Sequence, residues 1–175
     1  MKYLGMKRAF SLVELIVVVV IIGILAAIAI PRFSRGAAGA GDSNIRGNLS
    51  VLRNAIELYY YEHGEYPAEK GDGTNAAGAE AALIAQLTKF STDEGVVSDT
   101  KTASARFGPY LRTGIPACPV APRLGKTGVN MVSGTTVPAY TSSAATAGWV
   151  YNYQTGQVCV NSDGTDAEGV SYDAY

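Results

Sequence analysis

The stretch "RAFSLVELIVVVVIIGILAAIAIPRF", residues 8 to 33, is apolar almost throughout and carries a single carboxylate, Glu14. No charge stands between Glu14 and Arg32. Phe10 to Ile30 is 21 residues, and a helix needs about 20 to cross the hydrocarbon core of a bilayer. Membrane anchoring and export follow from that length. Lys2, Lys7 and Arg8 precede the run, which keeps its N-terminal side in the cytoplasm and the rest of the chain outside. A carboxylate inside such a run costs on the order of 2–3 kcal/mol and calls for a partner. A plain signal anchor supplies none. Neither does a signal peptide cut within the run, for which Ala27-Ile28-Ala29 offers a small-x-small site.

The 175 residues suffice for one modest domain plus an appendage. Net charge is −1, with no basic block after residue 8, which argues against nucleic acid as the main partner. Cys118 and Cys159 are the only cysteines and His63 the only histidine, too few ligands for a zinc site. In an exported domain the two cysteines read as a disulfide, stabilising by roughly 3–4 kcal/mol; two buried free thiols are the alternative. No Ser/His/Asp or Cys/His set can be built, and no phosphate-binding or zinc-protease motif is present. The chain does not read as an enzyme.

Lys7-Arg8-Ala9 followed by Phe10-Ser11-Leu12-Val13-Glu14 closely resembles the leader junction of type IV pilins and type II secretion pseudopilins. The resemblance continues through "IIGILAAIAIPRF", with Gly23 and Pro31 at family-like spacing. It implies that residues 1–9 are a prepilin leader, cut on the cytoplasmic side between Ala9 and Phe10, and that Phe10 is then N-methylated. The residue before the cut is usually Gly in this family and is Ala9 here. Cutting after Gly5 instead would leave Lys7 and Arg8 in the mature segment. A start at Met6 would give a four-residue leader, and removing residues 1–9 takes the net charge to −4. The resemblance further implies a homo-oligomeric helical filament assembled from the inner membrane. Its partners would be minor pilins or pseudopilins, an inner-membrane assembly platform, and a prepilin peptidase and methyltransferase. Glu14 then gains a partner, the freed amine of Phe10 on a neighbouring subunit. An unpaired buried charge is strongly unfavourable, so such a pair would pin the subunit register.

After Pro31, the glycines at 36, 39 and 41 make the chain easy to bend or unwind. Helical period then returns: Ile45, Leu49, Leu52, Ile56 and Tyr59 form one apolar stripe. Gly64 and Pro67 stop that helix near His63, whose expected role is structural. The expected fold is α+β. A long N-terminal helix, apolar over 10–31 and amphipathic over 32–63, packs on a small antiparallel sheet within a globular region, 64–175, in a lollipop shape.

Within that region, residues 76–90 read as a short amphipathic helix and 91–106 as polar turns. Thr127–Ser133 reads as a strand, and Trp149–Tyr153 with Gln157–Val160 as a hairpin about Gln154-Thr155-Gly156. Trp149, Tyr151 and Tyr153 share one face and should meet the Ile45–Tyr59 stripe. Residues 133–148 read as a solvated Ser/Thr/Ala connector. Near the end, Asn161, Asp163, Asp166, Glu168 and Asp173 crowd oxygens into a Gly-containing loop. No cofactor is required. A structural calcium is one expectation there, raised by the calcium loop of major pseudopilins, and a solvated acidic loop is the other.

The sequence leans to a type II secretion pseudopilin, from "GPYL" followed by "IP" at 108–116 and from the Trp-bearing hairpin. A type IV pilin of a surface pilus is the alternative, since the Cys118–Cys159 pair resembles the disulfide-bounded loop of pilins. A membrane-anchored or secreted binding domain that never polymerises is the reading from another class.

Overall fold

The computed structural model describes residues 11–175, with side chains described outside 29–38. Its elements run α1 (Leu12–His63), α2 (Glu80–Thr88), β1 (Phe90–Ser91), β2 (Val97–Ser98), β3 (Gly128–Val132), β4 (Ala147–Asn152), β5 (Val158–Val160) and a 3-10 turn (Tyr172–Ala174). The fold is α+β. The chain divides into two compact units, Met1–Ala38 and Gly39–Tyr175, with the boundary in the glycine-rich stretch.

In the second unit α1 buries the expected stripe. Ile45, Leu49, Leu52, Ile56 and Tyr59 are at most 3% exposed and form one core with Trp149, Tyr151, Val158, Val160, Leu83 and Leu87. Each such side chain contributes about 1.5–3 kcal/mol on leaving water. Trp149 and Tyr151 also satisfy their polar ends, whereas the buried Tyr59 hydroxyl has no hydrogen-bond partner among the described residues. Trp149 Nε1 donates to the Pro116 carbonyl at 2.7 Å, and the Tyr151 hydroxyl to that of Pro67 at 3.0 Å. The helix stops where expected. Gly64 takes φ +74° and its N–H donates to the Tyr60 carbonyl at 2.8 Å, a left-handed cap.

The three-stranded sheet has the order β3-β4-β5. β4 and β5 form the expected hairpin, pairing Trp149 with Val160 and Tyr151 with Val158. β3, however, runs parallel to β4, so the sheet is mixed and not the antiparallel sheet expected. Residues 133–146 carry the chain from the end of β3 back to the start of β4, and a return of that kind makes neighbours parallel.

That connection is also not simply solvated. Asn152 Nδ2 donates to the carbonyls of Gly134 and Thr136. Arg123 donates to Ser142 at 2.9 Å, and Asn161 holds Thr141, Ala144 and Ala147. Two further differences are local. α2 begins only at Glu80, after a turn in which Ala79 N–H donates to Ala76. Residues read as turns contain β2, which pairs with β1 antiparallel.

Candidate functional site

Ser11 begins α1. Its hydroxyl accepts the Val13 N–H at 3.3 Å and its carbonyl accepts the Leu15 N–H at 3.2 Å. Ser11-Leu12-Val13-Glu14 has the S-x-x-E form of a capping box, and Glu14 stands in the first turn. The positive end of the helix favours a carboxylate there by about 0.3–1 kcal/mol, less than the cost of placing it in an apolar run. Local structure therefore offsets only part of that cost.

From Leu15 to Ile28 α1 has no polar face. Every Val, Ile and Leu from Leu12 to Ile28 is exposed, from 47% at Val18 to 73% at Leu12. A helix apolar all round must be covered by lipid or by other helices. Among the described residues no helix is long and apolar enough to cross a membrane. The described side chains of the run end at Ile28, and the expected span continues past them. A Cβ added at Gly23 would meet nothing within 4 Å, so no neighbour within the described chain requires a glycine there. Ala9 and Phe10 lie outside the described residues, as does the side chain of Pro31.

The expected Cys118–Cys159 bond is absent: both are free, buried thiols. Cys118 lies in the core with Trp149. Cys159 pairs with Val150, so strand alternation turns it to the opposite face from Trp149 and Tyr151. Burial holds both thiols protonated. That of Cys118 is shifted upward, and that of Cys159 is raised to about 12 by burial with the Asp173 charge adding to it.

The carboxyl-terminal oxygens do not form a ligand shell. Asn161 is fully buried and its amide is spent on the 141–147 backbone. Asp166 accepts the N–H groups of Glu168 and Val170 and the Tyr175 hydroxyl, and Arg46 stands 3.4 Å from it. The Tyr175 hydrogen bond, aided by those N–H groups, holds its carboxyl below the usual carboxylate range against the pull of burial. Asp173 accepts the Tyr140 N–H and the Ser171 hydroxyl. The side chains of Asp163 and Glu168 belong to exposed residues of the loop. Among the described residues no group of three or more His, Cys, Asp or Glu could hold a metal ion, and the residues present do not fit calcium.

His63 is structural in its contacts. It stacks on Tyr59 at 3.9 Å, with Nδ1 at 3.0 Å from the Tyr59 carbonyl and Nε2 at 3.1 Å from the Ser91 hydroxyl. Since a carbonyl only accepts, Nδ1 carries a proton.

The chain matches the family model described as the prokaryotic N-terminal methylation motif over residues 5–30. It is 44% identical over 128 residues to the type IV major fimbrial protein FimA of Dichelobacter nodosus, covering 62% of this chain and 81% of that protein. It is 32% identical over 101 residues to the type IV major pilin protein PilE of Neisseria gonorrhoeae, covering 57% of this chain and 59% of that one. Against the type IV major pilin protein PilA of Myxococcus xanthus it is 46% identical over 60 residues, 34% of this chain and 27% of that one. The chain thus spans about three fifths or less of several relatives, and 45% of a fimbrial protein of Neisseria meningitidis. No solved structure matches it. With the methylation motif at its start and four fifths of a fimbrial relative covered, the chain belongs to the type IV pilin-like family.

Proposed function

We propose that this chain is a structural subunit of a type IV pilus, cut by prepilin peptidase between Ala9 and Phe10, N-methylated at Phe10, and built into a helical filament. Before assembly it waits in the inner membrane as a single-pass protein, with its globular unit outside. The observation that carries this reading is the uncovered apolar face of Leu12–Ile28 beside Glu14. A helix of that kind needs many apolar neighbours, and its one carboxylate needs a cation, which the amine of Phe10 on another copy supplies. A surface pilus is favoured over a secretion pseudopilus on two grounds. The relatives carry the names of major pilins and fimbrial proteins, and the carboxylates for which the pseudopilin resemblance implied calcium are engaged with backbone and tyrosine. The chain acts as a substrate of processing enzymes, not as an enzyme.

The test is Glu14→Ala in cells. Mass spectrometry should find the variant cut and methylated at Phe10 as in the wild type, while electron microscopy of sheared fractions finds few or no filaments. Normal filaments from Glu14→Ala would remove the charge-pairing step. A mature chain starting after Ala29, or left uncut, would favour the non-polymerising domain.

A further inference from the structure

The outer strands of the three-stranded sheet each turn main-chain groups away from β4. In β3 the Val132 carbonyl accepts the Tyr153 N–H at 3.3 Å, so Val132 faces inward. The outward groups of β3 then belong to Val129 and Met131, because a strand alternates. In β5, Asn161 N–H donates to Gly148 and the Gln157 carbonyl accepts from Asn152, so Val158 and Val160 face outward. An outer strand with free N–H and C=O groups is a template for a strand from another chain.

Each edge meets a charged side chain of the matching hydrogen-bonding kind. Glu80, in the first turn of α2, reaches across 49 residues, and its Oε1 accepts the Val129 N–H at 2.8 Å. Arg53 of α1 donates to the Val158 carbonyl at 3.1 Å. Val129 is 6% exposed, so water is a poor substitute for that carboxylate. The ladder also shifts register between Gly128 and Val129, where Glu80 meets the strand, and a bulge bends an edge away from flat pairing. β5 is fully buried, whereas Asn130 to Val132 are only half-buried, so the exposed edge depends most on Glu80.

We propose that Glu80 is an edge lock. It occupies the first outward N–H of β3 and so denies that edge to an extended strand of a second copy. The lock needs only the globular unit, so its failure would leave the filament reading of α1 untouched, and the reverse. The experiment compares the full chain in detergent micelles as wild type, Glu80→Gln and Glu80→Ala. Gln keeps a carbonyl acceptor; Ala does not. Glu80→Ala should form β-rich oligomers with thioflavin T fluorescence several-fold above wild type, and Glu80→Gln should stay at the wild-type level. Hydrogen–deuterium exchange guards against simple unfolding. In the Glu80→Ala oligomer, residues 128–132 should gain protection relative to the wild type. Three results would overturn the lock: wild-type behaviour of Glu80→Ala, oligomers in which 128–132 lose protection, or a Gln variant that behaves like Ala.

Discussion

The Tyr172 hydroxyl donates to Asp42 Oδ1 at 2.6 Å, joining the 3-10 turn to α1 across 130 residues of chain. Both are buried, at 8% and 9% exposure. One turn further along α1, Arg46 donates to the Tyr175 hydroxyl at 3.0 Å and lies 4.5 Å over its ring. The carboxyl-terminal segment is therefore fastened to the helix by polar contacts. Tyr172→Phe leaves the Asp42 carboxylate without this donor and should cost about 1–3 kcal/mol. In a chain of this size each kcal/mol lowers Tm by about 2–4 °C, so a thermal melt reads it directly. The hydrogen bond to Asp42, then burial, raises the Tyr172 hydroxyl to about 12. A raised tyrosine contributes stability that is whole below about pH 10 and lost as pH climbs to about 12. The wild type should lose stability across that window, and Tyr172→Phe should lose less.

Asp72 gives the opposite pH dependence. It is 1% exposed, and its Oδ1 accepts the N–H groups of Thr74 and Asn75 at 2.8 and 2.6 Å while Oδ2 accepts Asn75 Nδ2 at 2.7 Å. Burial works to raise this carboxyl, and the hydrogen bonds from Asn75 and Thr74 outweigh it, so the net shift is downward. A depressed carboxyl contributes stability above its unfolded value, near 3.9, and loses it as pH falls through the folded one. Asp72→Asn sets one amide against another and should cost about 1–3 kcal/mol at neutral pH. Denaturant titrations from pH 7 to 2 should show the gap between wild type and variant closing below about pH 4.

The two thiols make a redox prediction. Buried and held protonated, Cys118 and Cys159 should resist iodoacetamide in the native protein at pH 7.5 and react fully once it is unfolded. Peptide mapping of protein taken from the cell envelope under non-reducing conditions should find both residues alkylated after denaturation. A Cys118–Cys159 bridged peptide is the result that sinks this.

Two glycines with the same backbone hand should respond differently to alanine. Gly64 has φ +74° with nothing within 4 Å of an added Cβ, whereas Gly156 has φ +71° and its Cβ would stand 2.2 Å from Tyr66 Cε1. Tyr66 is itself stacked on Tyr60 at 4.5 Å and cannot yield freely. Gly64→Ala should cost about 1–2 kcal/mol for the left-handed backbone alone. Gly156→Ala adds about 1–3 kcal/mol of overpacking. Equal losses in chemical denaturation would show that the Tyr66 contact does not constrain the β4–β5 turn.

What could be read in the residues followed their period. The Ile45–Tyr59 stripe, the Trp149 and Tyr151 face and the β4–β5 turn each carry a spacing that only one element accommodates. Strand direction carries no such signal: the parallel entry of β3 depends on the path of residues 133–146, which have no period and are held by Arg123, Asn152 and Asn161 from elsewhere. The polar core was equally hidden. Gln86 is 1% exposed, taking the Ala68 N–H and giving its own to Gly95, yet in the sequence it is one polar residue on a short helix. The acidic loop misled for a related reason. Closeness in sequence places Asp166 and Asp173 near each other along the chain, but each carboxylate turned to its own N–H and hydroxyl donors.

Gly23 separates a contact within the chain from one between copies. It sits in α1 with open space where a Cβ would be, and Gly in a helix costs about 1 kcal/mol relative to Ala. Gly23→Ala should therefore leave the isolated subunit as helical as the wild type or more so, by circular dichroism in detergent. If copies pack helix against helix in the filament, a small residue lets their backbones approach closely, as in membrane bundles, and a methyl group would hold them apart. The expected result is normal processing at Phe10 with sheared filament yield reduced several-fold, measured by immunoblot against the membrane pool. Wild-type filament yield from Gly23→Ala would show that no close contact between copies forms at this position.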